Sequence, residues 1–272
     1  MVNMGNVWDR TTEFLSDNLG AVVPVALLTI FVPQSISKAI SQAGPQVAPG
    51  LSIGVVLLLL LPMIWGQLAV TALALDPEAG RSAAKSAATR RVGQVLLAML
   101  IPFVIILILS LPIVFAWVKG SVDVAALVGA SPGPRADISQ GAVQFIRLYG
   151  AALIVFAVFL SVRLSTLLMP IVVVEGGVIG ALRRSFALSS GISWKLFGVV
   201  LLFAVVMGVA SIAITSAFGI LFRVLEPAAG PFSVGSIIVA ILGGLVTTAY
   251  YVVQSSFMAK VYLAATSARE GV

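Results

Sequence analysis

The chain contains no cysteine and no histidine. Disulfides, thiolate nucleophiles, imidazole acid-base catalysis and His-ligated metals are therefore excluded. Charge is scarce too: 10% of the 272 residues are Asp, Glu, Lys or Arg, against roughly 25% in an average soluble domain. No Gly-rich phosphate loop with Lys is present, no Ser/Lys or paired-carboxylate spacing, and no tight acidic cluster of the kind a divalent ion needs. These absences leave no candidate catalytic residue, metal ligand or cofactor site, and they predict a protein that is not an enzyme.

What the chain has instead is apolar length, with 60% of its residues hydrophobic. One water-soluble globule cannot hide that excess, whereas a membrane span uses about 20 such residues to cross about 30 Å of hydrocarbon. Residues 21–40, 51–75, 92–118, 141–168, 196–222 and 233–264 each meet that length. The expected fold is all-α, a polytopic transmembrane bundle of about six helices forming one domain over 20–267. Residues 1–19 carry Asp9, Glu13 and Asp17 with Trp8, Phe14 and Leu15, the pattern of an interfacial helix, and 268–272 form a tail. The opening has neither a basic n-region nor a small-residue cleavage site, so no secretory signal is expected. Pro24, Pro33, Pro62, Pro102 and Pro112 predict kinks, which serve gating in some bundles and are static in others.

Basic residues sort to one side of this layout. With a cytoplasmic N-terminus the inner side collects Arg10, Arg81, Lys85, Arg90, Arg91, Arg163, Arg183, Arg184, Lys195, Lys260 and Arg269, and the outer side keeps Lys38, Lys119, Arg135, Arg147 and Arg223. Eleven against five predicts both termini in the cytoplasm by the positive-inside bias. The net charge of +6 is thereby read as topological, with no nucleic-acid partner expected.

The two inner connections, 76–91 and 175–195, are read as interfacial elbow helices. Each opens with a carboxylate (Asp76 and Glu78, then Glu175), passes Gly80 or Gly177, and carries basic residues before the next span. A span-elbow-span unit met twice, around 51–118 and 141–222, suggests internal duplication. Arg81, Lys85, Arg90 and Arg91 in the first elbow, with Arg183, Arg184 and Lys195 in the second, are candidate contacts for anionic lipid headgroups or an acidic partner surface. A juxtamembrane Lys or Arg gains about 1 kcal/mol beside anionic lipid.

The second elbow contains Pro170, Glu175, then Ala181, Leu182, Arg183, Arg184, Ser185 and Phe186, then Gly191 and Trp194. This run resembles the signature of the bacterial YciC-like membrane proteins and of the membrane domain attached to some glycerophosphodiester phosphodiesterases. The resemblance implies a multi-helix protein of the bacterial inner membrane. It does not imply phosphodiesterase activity, which resides in a separate soluble domain. The first elbow departs from the pattern, with no aromatic after Ser86. Independently of the family, Val178, Ile179, Leu182 and Phe186 fall on one helical face with Arg183 and Arg184 elsewhere, the pattern of a helix lying in the interface plane. Trp194 and Lys195 then form an interfacial anchor for the next span. The elbow is either a joint between spans or a ligand-binding element.

Inside the spans, Thr247, Tyr251 and Gln254 share a face at i, i+4, i+7, and Gln67 lies at similar depth. They either line a small polar cavity or form interhelical hydrogen bonds worth roughly 0.6 kcal/mol each. Small residues step by four at Ala240, Gly244 and Thr248, and again at Ser211, Thr215 and Gly219, which predicts close packing of both ridges within the chain. Two functional readings follow. One is a non-catalytic membrane protein that packs with, stabilises or recruits other membrane components, its partners being membrane lipids and other membrane proteins. The other is a channel or carrier for a small neutral solute or lipid.

Overall fold

The computed structural model describes residues 3–43, 48–121, 140–164, 168–175, 177–189, 192–225 and 232–270. Among these every regular element is helical: α1 Met4–Ala26, a π-helical turn Leu27–Phe31, α2 Val32–Ala43, α3 Pro49–Leu75, α4 Gly80–Ser121, α5 Gln140–Leu164, α6 Leu168–Glu175, α7 Val178–Ser189, α8 Ser193–Leu225 and α9 Val234–Glu270. Six stretches are long and apolar enough to cross a membrane: Met4–Ala43, Gly50–Leu75, Gly80–Ala116, Gln140–Leu160, Ser193–Phe222 and Val234–Ala268. The fold is the all-α, six-span bundle that the hydropathy predicts.

Helix boundaries differ from the sequence reading in three places. No break separates residues 1–19 from the first span, because helix runs on from Met4 to Ala43. Pro24 lacks the N–H that would pair with the Gly20 carbonyl, and the Arg81 guanidinium supplies the missing donor to that oxygen. Before Pro33 the helix widens into the π turn, with the Val32 N–H bonded to the Leu27 carbonyl, a known relief for a disturbed i to i−4 ladder. Residues 80–91 are not a separate elbow helix either. They form the first three turns of the 42-residue α4, since no proline falls between Gly80 and Pro102 and Ala is the commonest residue of 80–91. Finally, the fourth span ends at Leu164, and α6 restarts at Leu168.

Lipid tails are as apolar as leucine, so helices in a bilayer are held by close van der Waals packing and polar contacts. The centre of this bundle is α9, which packs on α1, α2, α3 and α8. It meets α2 at Gly244, where a Cβ would lie 2.3 Å from Ser35 Oγ. On α3 the matching position is Gly66, whose Cβ would sit 2.0 Å from Thr29 Oγ1 in the π turn. Only glycine admits either crossing.

Burial is unequal along the bundle. One end gathers Leu168, Ile171 and Val172 of α6, Ala181 and Leu188 of α7, Leu196 of α8, Ala88, Val95 and Ala98 of α4, Leu68 and Ala69 of α3, and Phe257, Val261 and Tyr262 of α9. This is the end at which the two elbows lie. Toward the other end the apolar side chains face outward, among them Leu57, Leu58 and Leu61 of α3, Phe103, Leu107 and Leu111 of α4 and Ile154 and Val155 of α5. From 197 to 222, no described side chain of α8 is buried.

Candidate functional site: the elbow end

The start of α1 belongs to the elbow end. Asn3 caps the helix, its side-chain oxygen accepting from the Gly5 N–H at 3.0 Å. Met4 lines an open groove of about 690 Å³ with Trp194, Lys195, Gly198 and Leu202 at the start of α8. Trp8 packs on Phe203 and Phe257, ring centroids 6.5 and 6.3 Å away. Val7, Thr11 and Phe14, spaced at i, i+4, i+7, are the buried stripe. Asp9, Arg10, Glu13 and Asp17 are exposed on the opposite side. The segment thus runs from the start of α8 at Met4 to the start of α4 at Gly20, linking the two elbows.

The first elbow turns through Asp76, whose carboxylate accepts from the Ala79 N–H at 3.2 Å, and Gly80, at φ +74°. The end of α3 leaves carbonyls without intrahelical donors. One of them, Ala74 O, accepts from Lys260 Nζ of α9 at 2.8 Å. The same ammonium stands 5.0 Å from the centroid of the Phe14 ring. A cation at a helix C-terminus also complements the macrodipole. On α4, Ala84 and Ala88 turn inward and are buried, and the Thr89 hydroxyl accepts from Trp65 Nε1 of α3 at 3.0 Å.

The second elbow turns through Gly177, at φ +82°. Among the described residues, Gly80 and Gly177 are the only two with positive φ, so both elbows use the left-handed conformation that glycine adopts without steric cost. In α7 the inward side is Ala181, Ser185, Leu188 and Ser189. Ile179 and Phe186 are exposed, with Val178 and Leu182 at the boundary. The apolar face read from the sequence is therefore the outward flank, and a stripe of small residues makes the protein contact. Ser185 explains why: its hydroxyl donates to the Arg163 carbonyl at 3.1 Å, capping the end of α5, while the single Ser189 proton is shared between that carbonyl at 3.3 Å and the Phe186 carbonyl at 3.2 Å. Phe186 covers the Arg163 guanidinium, ring centroid 4.6 Å from Cζ, and Phe159 lies at 5.3 Å. Pro170 is buried in α6. Trp194 is 84% exposed and meets the Phe197 ring edge-on at 5.8 Å. Gly191 and the side chain of Glu175 lie outside the described residues, as do the loop over 122–139, the turn over 226–231 and the side chains of Arg223 and Arg269.

Of the basic rim, Arg81, Lys85, Arg90, Arg183, Arg184 and Lys195 are exposed and Arg91 is half-buried, donating to Gln94 Oε1 at 3.1 Å. Arg81 is partly structural through Gly20. Arg163 and Lys260, counted in the sequence only as inner charges, make the specific contacts. Their signal was local: Arg163 follows Phe159 by four, and a lone Lys260 stands in a run of apolar and small residues.

The polar face of α9 is a seam between helices. Thr247 and Thr248 are buried and donate to the Gly243 and Gly244 carbonyls at 2.8 and 2.7 Å. Tyr251 is half-buried beside the Gln34 side chain of α2. Gln254 and Gln67 are half-buried. The Ala240, Gly244, Thr248 ridge is buried against α2, as expected. The Ser211, Thr215, Gly219 ridge of α8 corrects its expectation: Thr215 is exposed and its two neighbours only half-buried. The reason is that α8 meets the rest of the chain along its α9 side and touches α5 only lightly.

Comparison of the chain with protein-family models, with curated proteins and with solved structures gave no match. The site therefore rests on its own geometry.

Proposed function

We propose that this is a non-catalytic protein of the bacterial inner membrane, with both termini cytoplasmic, that packs laterally with other membrane components and holds anionic lipid at its elbow end. The observation that carries the reading is α8: a membrane-length helix with no described side chain buried from 197 to 222, and with a Ser211, Thr215, Gly219 ridge along it. Small residues at four-residue spacing let a second backbone approach closely. The exposed Arg81, Lys85, Arg90 and Arg183 add a basic rim at headgroup level, where anionic lipid attracts them. The likeness of residues 170–194 to the YciC-like proteins fits the same reading. The five carboxylates with described side chains, Asp9, Glu13, Asp17, Asp76 and Glu78, all face outward, away from any enclosed site. Thr247 is buried and its hydroxyl is taken up by a carbonyl of its own helix, which favours a packing role over a solute pathway.

A photo-crosslinker placed at Thr215 in the native membrane tests the reading. A discrete crosslinked membrane protein is expected, lost when Gly219 is replaced by Trp and kept when Val114 of α4 is replaced instead. Crosslinks to lipid alone would refute lateral docking. Because the chain has no native cysteine, a single cysteine at Ser86 reports orientation: labelling from outside the intact cell would overturn the cytoplasmic assignment.

A further inference from the structure

We propose that Arg163 is the headgroup contact of a discrete anionic-phospholipid site, where the end of α5 meets α7. The proposal deepens the lipid reading above but uses a residue outside the exposed rim. Arg163 stands in the last turn of α5, its guanidinium held between the rings of Phe159 and Phe186. Its Nε is buried, with no hydrogen-bond partner among the described residues, while the residue as a whole is half-buried. A guanidinium presents five donors in a fixed fork and cannot release its charge, so with Nε closed off its terminal N–H groups are the ones to take an acceptor. The Arg163 carbonyl already takes the Ser185 hydroxyl, with Ser189 also in reach, so the backbone beside the charge is held and the side chain is what remains to be matched.

The surroundings select a lipid. Phe159 and Phe186 are each nearly half exposed, and the surface continues through Ile179 on α7 and through Val155 and Phe156 one turn farther along α5. An acyl chain lying on that flank covers apolar side chains that stand exposed on the bundle. The phosphodiester of the same molecule then reaches the guanidinium, a pairing for which the planar fork is suited. A free phosphate would satisfy the charge but leave the flank bare. The serine, aromatic and alanine positions of the elbow thereby acquire separate roles: Ala181 permits close approach, Ser185 holds the carbonyl, and Phe186 orients the guanidinium.

The test uses the full chain purified from membranes and analysed by native mass spectrometry after exchange into phosphatidylglycerol or phosphatidylcholine. Wild type is expected to retain one phosphatidylglycerol at collision energies that strip phosphatidylcholine. Arg163→Gln should weaken that retention about tenfold, Arg163→Lys by a few-fold because the charge persists without the fork, and Arg183→Gln with Arg90→Gln by less than twofold. Should Arg163→Gln fail to fold, the phosphatidylglycerol-induced rise in Tm is compared between wild type and Arg163→Lys; an equal rise overturns the site. Retention unchanged in folded Arg163→Gln also overturns it, as does competition by millimolar inorganic phosphate that is as effective as the lipid. Loss of retention in the rim variant alone would support the exposed rim and refute Arg163. Loss in Arg163→Gln alone is the expected result and leaves the rim to weaker, diffuse attraction of anionic lipid.

Discussion

The two elbows solve one problem with different chemistry. Each turns through a glycine at positive φ, directly after the membrane-length α3 in the first and after the short α6 in the second, and sends a helix back against the bundle with small residues inward. Counting from that glycine, the buried positions coincide: Ala84 and Ala88 lie four and eight residues after Gly80, as Ala181 and Ser185 do after Gly177. Residue nine is Thr89 in one elbow and Phe186 in the other, and each reaches the preceding long helix, Thr89 at Trp65 and Phe186 at Arg163. The divergence is in how the end of that helix is closed. In the first, an ammonium from α9 caps Ala74; in the second, the Ser185 hydroxyl from within the elbow caps Arg163. The first elbow is thus tied to the far end of the chain, while the second is closed locally and keeps its cation for another use.

The largest effect that would break this comparison is expected from Lys260→Met. It removes a hydrogen bond from a charged donor, about 1.5–3 kcal/mol, together with the contact to Phe14. The midpoint of unfolding by SDS titration in mixed micelles should fall accordingly. Ser185→Ala, removing the nearer neutral donor to the Arg163 carbonyl, should cost about 0.5–1.5 kcal/mol by the same measurement. Equal losses would show that the two caps are energetically alike.

Register comes next. Aligning the elbows on their glycines pairs Ala88 with Ser185, whereas matching their sequences through Ser86 pairs that residue with Ser185 instead. Leucine inserted at a packed position costs about 1–3 kcal/mol. Ala88→Leu should therefore lower thermal stability in detergent as Ser185→Leu does, and Ser86→Leu, at an exposed position, should leave it nearly unchanged. A large loss for Ser86→Leu would restore the sequence alignment.

The smallest expected effect concerns the turns themselves. No atom lies within 4 Å of a Cβ built on Gly80 or Gly177, so Gly→Ala there meets no clash and probes the backbone alone. Each should cost about 1 kcal/mol, the penalty of left-handed φ for an L-residue, read as a matching drop in Tm for both variants.

Much of this was legible beforehand, for identifiable reasons. Span length is set by bilayer thickness, so hydropathy located the six helices. Gly80 and Gly177 announced the turns because few other residues take that φ. What escaped was whatever depends on partners distant in sequence. Nothing near Gly20 reveals that Arg81 repairs the ladder broken by Pro24, and nothing near Lys260 names Ala74. Which side of α7 meets the bundle also escaped, because amphipathic pattern identifies an apolar side but not whether lipid or protein covers it. In a bilayer the protein contact goes to the small side chains, here Ala181, Ser185 and Ser189. The same ambiguity hid the outward facing of the α8 ridge.

The Lys260 contact also bears on the order of assembly. Its hydrogen bond to Ala74 joins residues 186 positions apart, and Trp8 and Phe14 reach Phe257 and Lys260 across a still longer stretch. During synthesis, at about 5–20 residues per second, the first two spans enter the bilayer well before their partner helix exists. For some ten seconds or more the end of α3 and the aromatic face of α1 stand open to lipid, translocation machinery or chaperones, and the bundle closes only when its last helix arrives.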